Sequence, residues 1–396
     1  MKITAHELNR ATLARQLLLG REPLDVADAV RRVVALQAQQ PVSPYIALWN
    51  RVSGFDPAGL DSAFAELRTV KATLMRLTLH AVHADDYRTF REAMEPTLRG
   101  SRIGDARFTE SGLTVVDTGV LVAELLAYAD RPRTTVELGQ WLTERLGARM
   151  DPAAQRMLRQ YAPLWHASTG GPWSFGHRAS YVAAAGMGPV PVPGRPDAVP
   201  VHSGTDPDAA ARGLRTLVRR YLEGFGPASV ADVAQFALVQ RARVKAALHA
   251  LGDEVEHLAG PDGTVLYDVP GAPRPAGETP APPRLMAMWD SVLLAYADRG
   301  RVIPPDYRKH VTRRNGDVLP TLLVDGHVAG VWRPVDGGIE ATAFRPLPRD
   351  AWEGLASEAR SLVAFLAPRD PRAYRRYDHW WAKGMPAAET RLLPGD

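Results

Sequence analysis

AAARGLRTLVRRYLEGFGPASVADVAQFALVQRARVKAALHALGDEVEHLAGPDGTVLYDV, residues 209–269, reads as three helices followed by a β-hairpin. Leu214, Leu217, Val218, Tyr221 and Leu222 recur at helical spacing, and Gly224 with Gly226-Pro227 closes that first helix. Ser229 stands as N-cap before VADVAQFAL, and RARVKAALHAL makes a third helix. EVEHLA and TVLYDV then alternate around Pro261-Asp262-Gly263, a hairpin signature. Helix, helix, helix, hairpin is the winged helix-turn-helix, whose recognition helix enters the DNA major groove. Arg241, Arg243 and Lys245 open the third helix, where fixed positive charge opposes the helix's own dipole. They are therefore expected to meet an anionic partner, and DNA fits the pattern.

Working outward, residues 117–185 repeat the theme. LVAELLAYA and TTVELGQWLTERLG are helical, and Asp151-Pro152 opens a third helix carrying Arg156 and Arg159. WHAS and WSFGHRASYVAA flank Gly170-Gly171-Pro172 as a strand pair. Towards the N-terminus, helices are expected near 5–19, 24–37, 44–52 and 57–67, before the alternating segment VKATLMRLTLHAV. Residues 187–208 and 270–283 are rich in Pro and Gly and read as linkers or long loops. Beyond them, Asn315-Gly316 predicts a type I′ hairpin whose tip presents Arg313, Arg314 and Asp317. Asp325-Gly326 turns again, and residues 349–367 form a final amphipathic helix. The expected fold is mainly α with small β-hairpins (α+β), as three tandem winged helix-turn-helix units. Their spans are 1–110, 111–205 and 206–396, the last carrying the basic hairpin and the C-terminal helix.

A length of 396 residues suits two or three domains, and 45% hydrophobic with 23% charged residues is ordinary for a globular chain. The absence of cysteine excludes disulfides, thiolate zinc sites and cysteine nucleophiles. Apolar runs such as 120–129 and 362–367 fall short of the roughly 20 residues a membrane span needs. The N-terminus reads as the start of a folded domain and not as a signal peptide, so a cytoplasmic location is expected. Net charge is +4, and 43 of the 48 basic residues are Arg. Abundant Ala, Gly and Pro make that Arg usage consistent with a GC-rich genome, so position matters more than count.

Phosphate-binding GxxxxGK(S/T), dinucleotide GxGxxG, HExxH and GxSxG motifs are all missing. His166, His177, His202 and His310 are scattered and form no metal-ligand cluster, so neither a metal nor a nucleotide cofactor is expected. What stands out is LQAQQ at residues 36–40. On a helix Gln37 and Gln39 would diverge by about 200°, whereas an extended segment points both to one side. Pro41 disfavours helix at Gln40, so the two amides can converge.

LQAQ, RLTLH at 76–80, WD…LLAYADR at 289–299 and LVDGHVAGVW at 323–332 together resemble the AlkZ-like winged-helix DNA glycosylases. The resemblance runs from about residue 5 to 367 and implies three winged helices around a concave DNA-binding face. It implies that Gln37 and Gln39, the family's Gln–apolar–Gln pair, address the lesion, and that the Arg313–Arg314 hairpin assists DNA engagement. The activity implied is monofunctional hydrolysis of the glycosidic bond of bulky or crosslinked N7-alkylpurines in double-stranded DNA, leaving an abasic site. His80 and Asp290 are supporting candidates around the site, with Asp298 a further acid and Lys71 the amine to watch for lyase chemistry. A monomer is expected. The competing readings are a winged-helix transcription regulator and a drug-binding resistance protein without catalytic activity.

Overall fold

Many helix starts in this chain are capped by side-chain oxygens. The computed structural model describes residues 2–176, 178–185 and 207–394. His177, His202 and nearly all of the Pro/Gly-rich 187–208 lie outside the described residues. Reciprocal capping boxes open α1 (Ala5–Arg15) through Thr4 and Glu7, and three later helices in the same way, through Thr114 and Asp117, Thr134 and Glu137, and Ser229 and Asp232. After α1 come α2 (Val26–Arg32), β1 (Leu36–Gln37), α3 (Ser43–Trp49), α4 (Pro57–Ala65), β2 (Thr69–Thr73) and β3 (Leu79–His83). Helices α5 (Ala84–Leu98) and α6 (Ala106–Thr109) lead to α7 (Val115–Tyr128), β4 (Arg133–Thr134), α8 (Thr135–Leu146), α9 (Pro152–Tyr161), β5 (Leu164–Ala167) and β6 (Ser180–Ala183). Asp151 caps α9 with Pro152 in its first turn, as the sequence suggests. The next stretch forms α10 (Pro207–Phe225), α11 (Val230–Ala237), α12 (Arg241–Leu251) and the hairpin β7 (Glu256–Ala259)–β8 (Val265–Asp268), the order expected from its pattern.

The β structure is larger than the small hairpins expected. β2 pairs with β5 at Lys71↔His166, which merges two segments into one six-stranded sheet of order β1-β3-β2-β5-β6-β4. Residues 284–394 build a second, five-stranded antiparallel sheet. Its strands are β9 (Arg284–Leu285), β10 (Thr321–Val324), β11 (His327–Val335), β12 (Gly338–Ala343) and β13 (Glu389–Pro394). Short helices α13 (Arg308–Val311) and α15 (His379–Ala382) and the long α14 (Arg349–Leu366) complete this part. Each pairing satisfies strand edges that would otherwise expose unpaired amides and carbonyls.

Local differences from the sequence reading have physical causes. The helix expected over 24–37 stops at Arg32; Val34 takes a positive φ of 73° and redirects the chain into β1. At Asn315-Gly316 the turn is not type I′. Arg313 O accepts from Gly316 N at 3.0 Å, Gly316 alone is left-handed (φ 88°), and Arg313 N donates to Asp317 O at 2.8 Å. That pattern is a type I turn with a glycine bulge.

Two large cores cut across the three spans assigned from sequence. One joins Leu13, Ile46 and Trp49 to Leu293, Trp332 and Leu355; the other joins Val70, Phe90 and Leu158 to Leu217, Phe236 and Tyr296. α10 lies hard against α5, where a Cβ on Gly213 would stand 2.7 Å from the Thr89 carbonyl oxygen. Two fully buried bidentate ion pairs pin distant segments. Arg15 Nη1 and Nη2 reach Asp268 at 2.6 and 2.8 Å, and Arg51 reaches Asp290 through two hydrogen bonds of 2.8 Å.

Candidate functional site

The segment Leu36–Gln37 is an edge strand paired antiparallel with β3, in register Leu36↔Ala81 and Gln37↔His80. Ala38 N extends the ladder to Leu79 O at 2.8 Å, and the Ala38 side chain is buried in the core. Residues two apart on such a strand share a face. Gln37 and Gln39 accordingly line one cleft of about 630 Å³. The two motifs LQAQ and RLTLH, distant in sequence, are thus one piece of sheet.

Arg76 lines the same cleft beside Gln37, in a tight turn where its own φ is 52°. Its Nη2 donates to Gln37 Oε1 at 2.7 Å and to His80 Nε2 at 3.2 Å, and Nη1 donates to the Phe236 carbonyl at 3.2 Å. Burial, with Arg299 nearby, brings the Arg76 pKa down to about 10, so it remains a cation at neutral pH. His80 is buried, its Nδ1 is 3.1 Å from the Thr78 carbonyl, and burial beside Arg76 lowers its pKa to about 3. A guanidinium has no acceptor, so His80 meets it with the bare Nε2 and carries its proton on Nδ1. His80 is a neutral support and no proton donor.

α9 forms a wall of the cleft with Arg156, Arg159 and Gln160, and β5 and β6 add His166 and Tyr181. Burial, then Lys71 and Arg159, keep His166 neutral by lowering its pKa to about 3. The bulged turn contributes Asn315, Gly316 and Asp317, and the tail contributes Arg376 and Tyr377. Asp317 is the one carboxylate among the described lining residues; its Oδ2 accepts from Asn315 Nδ2 and Trp380 Nε1, each at 2.9 Å. Arg156, Arg159 and Arg376 make no ion pair among the described residues, so the cleft presents cations that are not neutralised from within.

Several residues singled out from sequence stand elsewhere. Asp290 does not face the cleft: it is locked to Arg51, 3% exposed, and caps the turn at Val292 N. Asp298 accepts from Gly300 N at a surface turn, a cap. Arg313 is half-buried, packed 4.9 Å from the Trp380 ring with Nη2 2.8 Å from Met385 Sδ, while Arg314 is exposed at the tip. Arg241 and Lys245 are exposed on α12 and Arg243 is partly buried there; none lines the cleft. Lys71 is buried with its ammonium 4.2 Å from the Phe175 ring centre, and burial lowers its pKa to about 8. It too is absent from the lining. The sequence reading missed Arg76, Tyr181, Arg376 and Tyr377; for Arg76 the RLTLH segment was the available signal.

The end of a short edge strand thus opens two carboxamides into an arginine-walled cleft on an antiparallel α+β scaffold. The sequence profile described as DNA glycosylase AlkZ-like matches residues 30–365, and the chain belongs to that family. It is 24% identical over 382 residues to an interstrand DNA cross-link repair glycosylase of Streptomyces sahachiroi, covering 92% of this chain and 96% of the relative. The solved structure of the Streptomyces sahachiroi DNA glycosylase AlkZ shares the fold. Its TM-score is 0.74 at 21% identity, covering 93% of this chain and 98% of that one. Among the described residues no helix is long and apolar enough to cross a membrane.

Proposed function

We propose that this chain hydrolyses the N-glycosidic bond of bulky or crosslinked N7-alkylated purines in duplex DNA, leaving an abasic site. The observation that carries this reading is that Gln37 and Gln39 line one cleft together with Arg156, Arg159 and Arg376. N7 alkylation already makes the purine a cationic leaving group, and its departure leaves an oxocarbenium-like sugar, as in glycoside hydrolysis. The protein then has to place a water and hold geometry, work that a neutral carboxamide can do. A carboxamide is a weak base, so unactivated bases stay intact. In this reading the helix–helix–helix–hairpin segments act as three tandem winged helices around a concave DNA face, and one copy of the chain suffices.

The cleft arginines are the nearest phosphate partners. Arg314 at the turn tip and Arg241, Arg243 and Lys245 on α12 extend the DNA surface beyond it. Arg156→Ala combined with Arg159→Ala should weaken duplex binding and flatten the dependence of log affinity on log salt by about 2, near 0.9 for each phosphate no longer neutralised. A salt titration of labelled duplex checks this; an unchanged slope removes α9 from the DNA surface.

Among the described lining residues none is Lys, which favours water over an amine as nucleophile. Borohydride treatment during turnover should therefore trap no covalent adduct. The test of the reading as a whole is incubation with duplexes carrying N7-methylguanine or uracil, followed by alkaline cleavage. Strand breaks are expected only at the alkylated base. Release of uracil, or no release of either, would set the proposal aside.

A further inference from the structure

Gln37 and Gln39 belong to one motif, but their surroundings differ. Gln39 is exposed, and its side chain has no hydrogen-bond partner among the described residues. Gln37 is only 5% exposed and is held by Arg76. Because a guanidinium only donates, the Gln37 atom 2.7 Å from Arg76 Nη2 has to be the carbonyl Oε1. The Gln37 amide NH₂ is left at the cleft with no partner among the described residues. The same rule orients His80, so that a single line of donors and acceptors runs from the Thr78 carbonyl through His80 and Arg76 to Gln37.

This arrangement is costly. Arg76 is half-buried at the cleft without a carboxylate within 4 Å among the described residues, and its φ of 52° is unfavourable for a side chain of that size. Its remaining partners are the Phe236 carbonyl and, 5.3 Å away, the Phe236 ring. A half-buried cation with no carboxylate beside it, whose shortest hydrogen bond goes to a cleft amide, is poorly explained by packing.

We propose that Arg76 is a positioning residue that fixes the Gln37 carboxamide with its NH₂ facing the cleft. Gln37 is thereby the donor to the departing purine, and Gln39 is the amide that holds the attacking water. This rests on the glycosylase reading above. When the C1′–N9 bond breaks, its electron pair moves onto the base while positive charge develops on the sugar. A donor on the base side stabilises that electron pair, and the Arg76 cation polarises the donor and opposes positive charge staying on the purine. Gln39, free to rotate, can turn its oxygen to the water.

The test is a double-mutant cycle read by single-turnover release of N7-methylguanine from duplex DNA, with duplex affinity measured in parallel. Arg76→Met should slow release about tenfold or more with affinity unchanged, and Arg76→Lys, still a donor, should recover part of the rate. In a Gln37→Ala background Arg76→Met should cost nothing further, whereas with Gln39→Ala the two effects should multiply. Should Arg76→Met fail to fold, Gln37→Glu decides. A carboxylate keeps a partner for Arg76 but has no NH₂, so its rate should fall as far as that of Gln37→Ala. Full activity of Gln37→Glu, or an Arg76→Met defect that persists in the Gln37→Ala background, overturns the inference. Failure of the unmodified protein to release N7-methylguanine would instead sink the glycosylase reading beneath it.

Discussion

Gln39→Ala is expected to lower the single-turnover release of N7-alkylguanine from duplex DNA by about 100-fold or more, with folding and duplex affinity close to those of the parent chain. The magnitude is that of removing one preorganised group that acts on the developing transition state. Affinity should hardly move, because Gln39 carries no charge and the separate arginines of the cleft are the groups proposed to meet the phosphates. Folding should hold because the residue is exposed and its side chain has no hydrogen-bond partner among the described residues. Asp317 is the informative control, since it is the only carboxylate among the described lining residues. One of its oxygens is committed to Asn315 and Trp380, so Asp317→Asn should have a much smaller effect than Gln39→Ala. If Asp317→Asn abolished release and Gln39→Ala did not, ordinary carboxylate base catalysis would replace the carboxamide mechanism.

What the sequence made legible follows from local rules. Pro41 disfavours helix at the end of LQAQQ, so the extended segment that opens Gln37 and Gln39 to one cleft needed no knowledge of tertiary packing. Ser229 and Asp151 announce their helices because capping spans only three residues. The cleft walls are another matter. Arg156 and Arg159 share a cleft with Gln37 because β2 pairs with β5 across 95 residues of chain, from Lys71 to His166. Arg376 arrives from a tail that follows the last long helix. Asp290 looked like an acid beside the motif WD…LLAYADR, yet its partner Arg51 lies 239 residues away in sequence. Arg313 looked like a free hairpin cation until Trp380 packed against it. Side chains paired over such separations leave no periodic trace, and a buried charge reads in sequence like an exposed one.

Asp290 also carries the largest expected stability effect. Asp290→Ala should destabilise the protein by about 3–5 kcal/mol, the cost of leaving one member of a fully buried ion pair uncompensated. Both side chains are 0% exposed, and Arg51 keeps only the Ala47 carbonyl once Asp290 is gone, its Nε already having no partner. The same carboxylate caps Val292 N, so the turn loses its cap along with the pair. A double variant, Arg51→Met with Asp290→Leu, should recover most of the stability, because an apolar pair of similar volume escapes the desolvation cost. The effect reaches the cleft through the next residue. Trp289 holds a left-handed φ of 54° and donates from Nε1 to Gly316 O at 2.9 Å, tying the Asp290 anchor to the turn that bears Asn315 and Asp317. At a temperature where Asp290→Ala remains folded, its release rate should therefore fall as well, while the double variant should regain stability before it regains rate. Thermal melts of the three proteins check the first claim. A melting temperature for Asp290→Ala equal to the parent's would show that the pair is dispensable, and a parent-like rate would show that the Trp289–Gly316 hydrogen bond does not depend on it.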